Sequence, residues 1–266
     1  MKKLSVKEYI SLILLCFTGV LLIALQLKPW GWLIYLVGLA SLLLTERQFA
    51  KHLLLIYSAL ALLGITPITT DISWGHILAM GATLSLAVVL PFVISRYVYK
   101  ENDLITFKFR TQRNWFHTEI FYIIATAILS YFLLPFYLRN TGAYINWSVE
   151  PGASNILRLF AGTNGLGIWD ELFFVNTVLG ILRRYLVFGW ANVIQGILFT
   201  SFLFELGFTG WGYIMIFLFA LSQGYIFKRT ESLLYIITVH LVLDFVLFLA
   251  LIHSHHPNWL PIFITG

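Results

Sequence analysis

Nine apolar stretches follow one another along this chain, at about residues 9–27, 30–45, 52–67, 75–98, 117–137, 156–182, 187–207, 210–227 and 233–252. A helix rises about 1.5 Å per residue, so roughly 20 apolar residues cross a hydrocarbon core about 30 Å thick. No water is present in that core to satisfy peptide groups, and an α-helix closes its backbone hydrogen bonds within one segment. The chain is therefore predicted to be all-α, a polytopic transmembrane helical bundle of about eight to nine spans, with residues 1–266 forming a single integral membrane domain. The second and third stretches are short, which predicts tilting or a hairpin. Composition excludes the soluble alternative, because only 11% of the residues are charged where soluble domains carry about 25%.

The basic residues orient the bundle. With the N-terminus in the cytoplasm, the inner segments hold Lys2, Lys3, Lys7, Arg47, Lys51, Arg96, Lys100, Lys108, Arg110, Arg113, Arg183, Arg184, Lys228 and Arg229. Lys28, Arg139 and Arg158 are the remainder of the 17 Lys and Arg. Cytoplasmic loops retain Lys and Arg, so this distribution predicts a multi-pass cell-membrane protein with its C-terminus outside. A reporter fused after Gly266 should be active outside the cytoplasm, and activity confined to the cytoplasm would contradict the orientation. The net charge of +5 is accounted for by these flanks, which meet anionic headgroups, and no nucleic-acid partner is expected. The basic start is followed by an apolar run too long for a cleaved signal peptide, which predicts a retained first span. The one cysteine, Cys16, excludes an internal disulfide.

Two connections are longer than turns. Residues 100–117 alternate Phe107 and Phe109 with Lys108 and Arg110, a period-2 pattern that suits a strand-like or interfacial segment. Residues 139–155 are rich in turn formers. Beyond the last span, HSHHPNW carries His253, His255 and His256, read as interfacial residues rather than as a metal tract.

Five ionisable residues interrupt the last four apolar stretches: Asp170, Glu171, Glu205, His240 and Asp244. A charge at such depth is expensive and marks function by default. Counted from Arg183 and Arg229 at about 1.5 Å per residue, Asp170, His240 and Asp244 lie at one depth, roughly 16 to 23 Å from the inner face. Thr163, Asn164, Gly167, Asp170 and Glu171 recur at helical spacing as a small and polar stripe. His240 and Asp244, four residues apart, share a helix face, a spacing that can hold one imidazole tautomer or offer two ligands to one metal or water. The competing reading is a structural network of hydrogen-bonded carboxylates. Asn176, Gln195 and Gln223 read as helix–helix contacts.

These residues carry a resemblance. The segment from about 165 to 248, within a core at 156–252, resembles the CPBP family of intramembrane proteases, also called Abi, which includes CAAX prenyl proteases. The family's signatures are EExxxR, FxxxH and Hxxx(N/D). The first stands here as DELFFV, with Asp170 and Glu171 at the acids and Val175 at the Arg; the third is intact as HLVLD, from His240 to Asp244. The second places Phe199 at its Phe and Leu203 at its His, with Glu205 two residues on. Residues two apart differ by about 200° around a helix, so Leu203 and Glu205 cannot both face one cavity. The expense of a carboxylate in lipid favours Glu205 inward; the other placement has Glu205 reaching outer water.

The resemblance implies an intramembrane endopeptidase of CAAX-protease type, cleaving a membrane-associated peptide or protein with a carboxylate-activated water. Asp170 or Glu171 would be the general base, His240 oriented by Asp244 would donate to the oxyanion, and Glu205 would take a second base role or join a ligand set. That ligand set would suit a divalent metal such as zinc or manganese by ligand type, and spacing alone selects none; no organic cofactor is implied. The lost Arg and His favour a second reading, a catalytically silent scaffold that binds a membrane partner. A proton-coupled transporter is disfavoured, because the chain shows no inverted repeat.

Overall fold

The computed structural model describes residues 4–110 and 115–264; Lys2, Lys3 and Arg113, used above to orient the chain, lie outside them. Nine long helices run through the described residues: α1 Val6–Ala24, α2 Lys28–Leu42, α3 Arg47–Ile65, α4 Trp74–Val98, α5 His117–Thr141, α6 Ala153–Leu182, α7 Phe188–Glu205, α8 Gly212–Thr230 and α9 Leu233–His255. Each coincides with one of the nine apolar stretches. Six of them, α1, α3, α4, α5, α6 and α9, are long and apolar enough to cross a membrane by length and composition. The chain is thus an all-helical, multi-pass membrane protein.

The shortest helix is α2, with 15 residues, about 22 Å at 1.5 Å per residue. It folds back on α1 as a hairpin, as its length predicts. The third stretch, expected to be short as well, forms a helix of 19 residues, because Arg47 and Gln48 extend it at its N-terminal end into the polar flank.

Local chemistry sets the helix ends. Ser5 opens α1 with a capping box: its Oγ accepts from Glu8 N–H while its own N–H donates to Glu8 Oε2 at 2.7 Å, satisfying two amides left free at a helix start. At α9, Ser232 Oγ accepts from Tyr235 N–H. Leu233 and Leu234 N–H donate to the carbonyls of Lys108 and Phe109, each at 2.9 Å. The 100–110 segment therefore serves as a main-chain cap for α9. The expected strand does not form among the described residues, since its carbonyls are taken by a helix end rather than by a partner strand. Its alternation survives as packing, with Phe107 and Phe109 stacked on one side.

The His tract also finds main-chain partners. His255 Nε2 donates to Tyr144 O at 3.0 Å and His256 Nε2 to Val149 O at 2.8 Å, tying the end of α9 to the 139–155 connection. The centre of the bundle is α6, the longest helix at 30 residues and the most deeply packed of the six candidate spans. It runs against α4 and α9, while α9 lies along α5 and α7 along α8. From Glu171 to Val178 α6 widens into a π-helix, an i→i+5 hydrogen-bonding form that recurs at functional sites.

Candidate functional site

The π-helical stretch begins directly after Asp170. Asp170 faces a cavity on one side of α6, and the next residue, Glu171, turns towards α8 and α9. Both are buried, at 1% and 0% exposure. A carboxylate so placed requires partners, and Glu171 has them at one of its two oxygens, Oε2 being unpartnered. Its Oε1 takes the amide N–H of Gln223 (α8) at 2.7 Å and lies 2.7 Å from Nδ1 of His240 (α9). Three helices are joined at this one oxygen. Gln223 Nε2 also donates to Ile236 O at 3.1 Å.

The imidazole is held on its faces as well as at its nitrogen. Phe199 lies nearly parallel to it at 5.9 Å, and Phe219 meets it edge-on at 4.9 Å. Its other nitrogen, Nε2, stands 3.7 Å from Asp244 Oδ1 and 4.0 Å from Asp170 Oδ2. These gaps exceed a hydrogen bond. Both oxygens of Asp170, and Oδ2 of Asp244, have no hydrogen-bond partner.

Gly167 makes this arrangement sterically feasible. A Cβ there would stand 1.9 Å from Asp244 Oδ2 and 3.0 Å from His240 Cδ2. The Asp244 carboxylate thus occupies the space that any larger residue at 167 would fill. Asp170, His240, Asp244 and Gly167 line a cavity of about 550 Å³ whose other walls are mostly apolar, among them Leu203, Trp147 and Trp211.

Four of the five ionisable residues singled out in the sequence, Asp170, Glu171, His240 and Asp244, are brought together. Two expectations need correction. The residue that orients His240 is Glu171, not Asp244: the i,i+4 spacing puts Asp244 on the same face but leaves it 3.7 Å from Nε2, whereas Glu171 reaches Nδ1 from another helix. Glu205, expected inward, stands outside this cavity. Leu203 takes the wall position, and Glu205 Oε1 accepts from Gln26 Nε2 in the α1–α2 turn. Gln26 has φ of 47°, a left-handed conformation uncommon for a side-chain-bearing residue, which turns the chain between the two helices. With an amide partner at the last residue of α7, Glu205 avoids the lipid exposure that argued for its inward placement. Glu205→Gln keeps the shape of the side chain and should therefore shift stability by no more than about 0.5 kcal/mol, as changes outside the core usually do; a larger loss, read by thermal unfolding in detergent, would show that the carboxylate charge is needed at this contact.

Two neighbours escaped the sequence reading as site residues. Gln223 reads from the sequence as a helix contact, because a single buried amide has no spacing pattern that points to a carboxylate on another helix. Gly167 lay in the polar stripe, which was the available signal. Of that stripe, Thr163, Gly167 and Asp170 reach the cavity, while Asn164 folds back on Phe160 O. Gln195 does link helices, donating to Asn192 Oδ1 and Ala220 O. Val175, at the place of the missing Arg, is fully buried in the apolar core. Among the described residues, no group of three or more His, Cys, Asp or Glu is arranged to hold a metal ion.

Against known proteins, residues 152–246 match the family model described as type II CAAX prenyl endopeptidase Rce1-like, about a third of the chain and the third that carries Asp170, Glu171, His240 and Asp244. No curated protein and no solved structure matches the chain.

Proposed function

From the premise that residues 152–246 are similar to Rce1-like type II CAAX prenyl endopeptidases, we propose that this chain is an intramembrane endopeptidase that hydrolyses a membrane-associated peptide or protein. The observation that carries the reading is the pair of unpartnered Asp170 oxygens, 1% exposed, on the wall of an apolar cavity beside His240. Asp170 rather than Glu171 is the general base of this reading, because Asp170 lines the cavity with both oxygens unpartnered, whereas Glu171 is not among the lining residues and its Oε1 is committed to Gln223 and His240. Asp170 takes a proton from water as the water oxygen bonds to the peptide carbonyl carbon. The proton then passes to the leaving nitrogen as the C–N bond breaks. Such proton transfer is worth about 10²–10⁴-fold. Asp244 adds a second carboxylate within reach of the same space. The lipid bilayer is the surrounding partner, and a prenylated CAAX-type peptide is the first substrate to try. The orientation read from the basic residues, N-terminus inside, belongs to the same proposal.

The full-length protein in proteoliposomes, incubated with a prenylated CAAX-type peptide, should release the C-terminal fragment, detected by mass spectrometry. Asp170→Asn should release it about 10²–10⁴-fold more slowly. One observation favours the silent scaffold as a second reading: Leu203 gives the cavity an apolar wall where the family signature has His. If the wild-type protein binds the peptide without cutting it, and Leu203→His gains cleavage, the scaffold reading replaces the endopeptidase.

A further inference from the structure

The Gln223 amide meets the carboxylate that holds His240. Its Nε2 faces two groups, the backbone carbonyl of Ile236 at 3.1 Å and Glu171 Oε1 at 2.7 Å. A carbonyl oxygen can only accept, so the NH₂ end of the amide must lie on this side. Glu171 Oε1 therefore receives an amide N–H, and hydrogen bonds donated to a carboxylate favour its charged form. A charged carboxylate is an acceptor only, so the ring nitrogen 2.7 Å away, Nδ1, is the one that donates.

The far side of the ring completes the argument. Asp170, Glu171 and Asp244 are the ionisable groups facing it from α6 and α9, and Phe199 and Phe219 cover it from α7 and α8. Neither aspartate is within hydrogen-bond reach of Nε2, at 3.7 and 4.0 Å. A proton on Nε2 would have no acceptor among these groups, whereas a lone pair there opens on the cavity.

We infer that Gln223 is a positioning residue: by fixing Glu171 as an acceptor it holds His240 with its proton on Nδ1, so that Nε2 faces the cavity as an acceptor for water. This reassigns His240 from oxyanion donor, the role that the family resemblance implies, to holder of the attacking water. Nε2 accepts one hydrogen of that water while Asp170 removes the other. The tautomer assignment stands on geometry alone; the water-holding role rests on the hydrolase reading above.

Nitrogen NMR of the full-length chain in nanodiscs, labelled with ¹⁵N-histidine, tests it, with the His240 signals identified by their loss in His240→Gln. The wild-type protein should show one N–H nitrogen, at Nδ1, and one bare, pyridine-type nitrogen, at Nε2. Gln223→Met keeps the length of the side chain and removes both donors; it should give a mixed-tautomer spectrum. With the peptide substrate, the lost positioning should lower kcat by up to about 10²-fold, with an altered pH profile. Gln223→Asn, which retracts the amide by one methylene, should change the spectrum in the same direction if the methionine variant does not fold. A wild-type spectrum with a proton on Nε2, whether instead of or together with Nδ1, overturns the inference, as does a spectrum unmoved by either variant. The Nδ1–H tautomer in a protein that cuts nothing leaves the positioning role intact and removes the hydrolase; cleavage by a protein protonated at Nε2 does the reverse.

Discussion

Asp170→Asn should lower peptide cleavage by about 10²–10⁴-fold while the protein unfolds at the same or a higher temperature than the parent. The two halves of that result have one cause. Asp170 is 1% exposed and neither of its oxygens has a hydrogen-bond partner. A buried carboxylate without a partner opposes folding, and the amide of the same shape removes that opposition together with the base. No protein hydrogen bond is lost in the exchange. Glu171, one residue on, should behave in the opposite way. Glu171→Leu strips the acceptor from Gln223 Nε2 and His240 Nδ1, both at 2.7 Å, and each buried donor left unsatisfied costs about 1–3 kcal/mol. Thermal unfolding in detergent beside the cleavage assay separates the two acids. An Asp170→Asn protein that melts well below the parent would show Asp170 to be a structural member of the network, and one that cleaves at the parental rate would remove it from the chemistry.

Gly167→Ala should be nearly as damaging to cleavage, although it adds a single methyl group. That methyl would lie 1.9 Å from Asp244 Oδ2, far inside contact distance, and the helix backbone on either side leaves it no other direction. Asp244 must swing away and His240, 3.0 Å from the same point at Cδ2, must shift with it. Overpacking of this kind costs about 1–3 kcal/mol in stability, and displacement of reacting groups by about 1 Å can cost 10²-fold in rate. Gly165→Ala is the internal control. A Cβ there meets nothing within 4 Å, so the change should raise helix stability by about 0.5–1 kcal/mol and leave cleavage untouched. Equal behaviour of the two alanine variants would show that the close packing of α6 on α9 at Gly167 has no bearing on the site.

The sequence alone was enough to locate the nine helices and to say that the chain is a multi-pass membrane protein. The reason is that both follow from quantities counted along one segment: apolar length against the thickness of hydrocarbon, and the obligation of each span to satisfy its own backbone. It also singled out Asp170, Glu171, His240 and Asp244, since a charge inside an apolar run is visible without knowing its neighbours. The length of α3 was misjudged for the same local reason: polar residues at its start count against a span but not against a helix.

What the tertiary structure decided is how those residues face one another. The i,i+4 spacing of His240 and Asp244 suggested a pair, yet Glu171 from α6 and Gln223 from α8 meet at the imidazole nitrogen that matters. The expense of a carboxylate in lipid favours Glu205 inward, and outer water is the other placement the sequence allows, whereas its partner in the structure is Gln26 of the α1–α2 turn, far away along the chain. Both outcomes depend on the rotation of separate helices about their own axes, and for α6 on a π-helical stretch from Glu171 to Val178 that departs from the 100° step per residue on which helical-face arguments rest. Rotation is set by packing against neighbours, above all by close approaches such as Gly167 to Asp244. A periodic pattern within one helix carries no information about that packing.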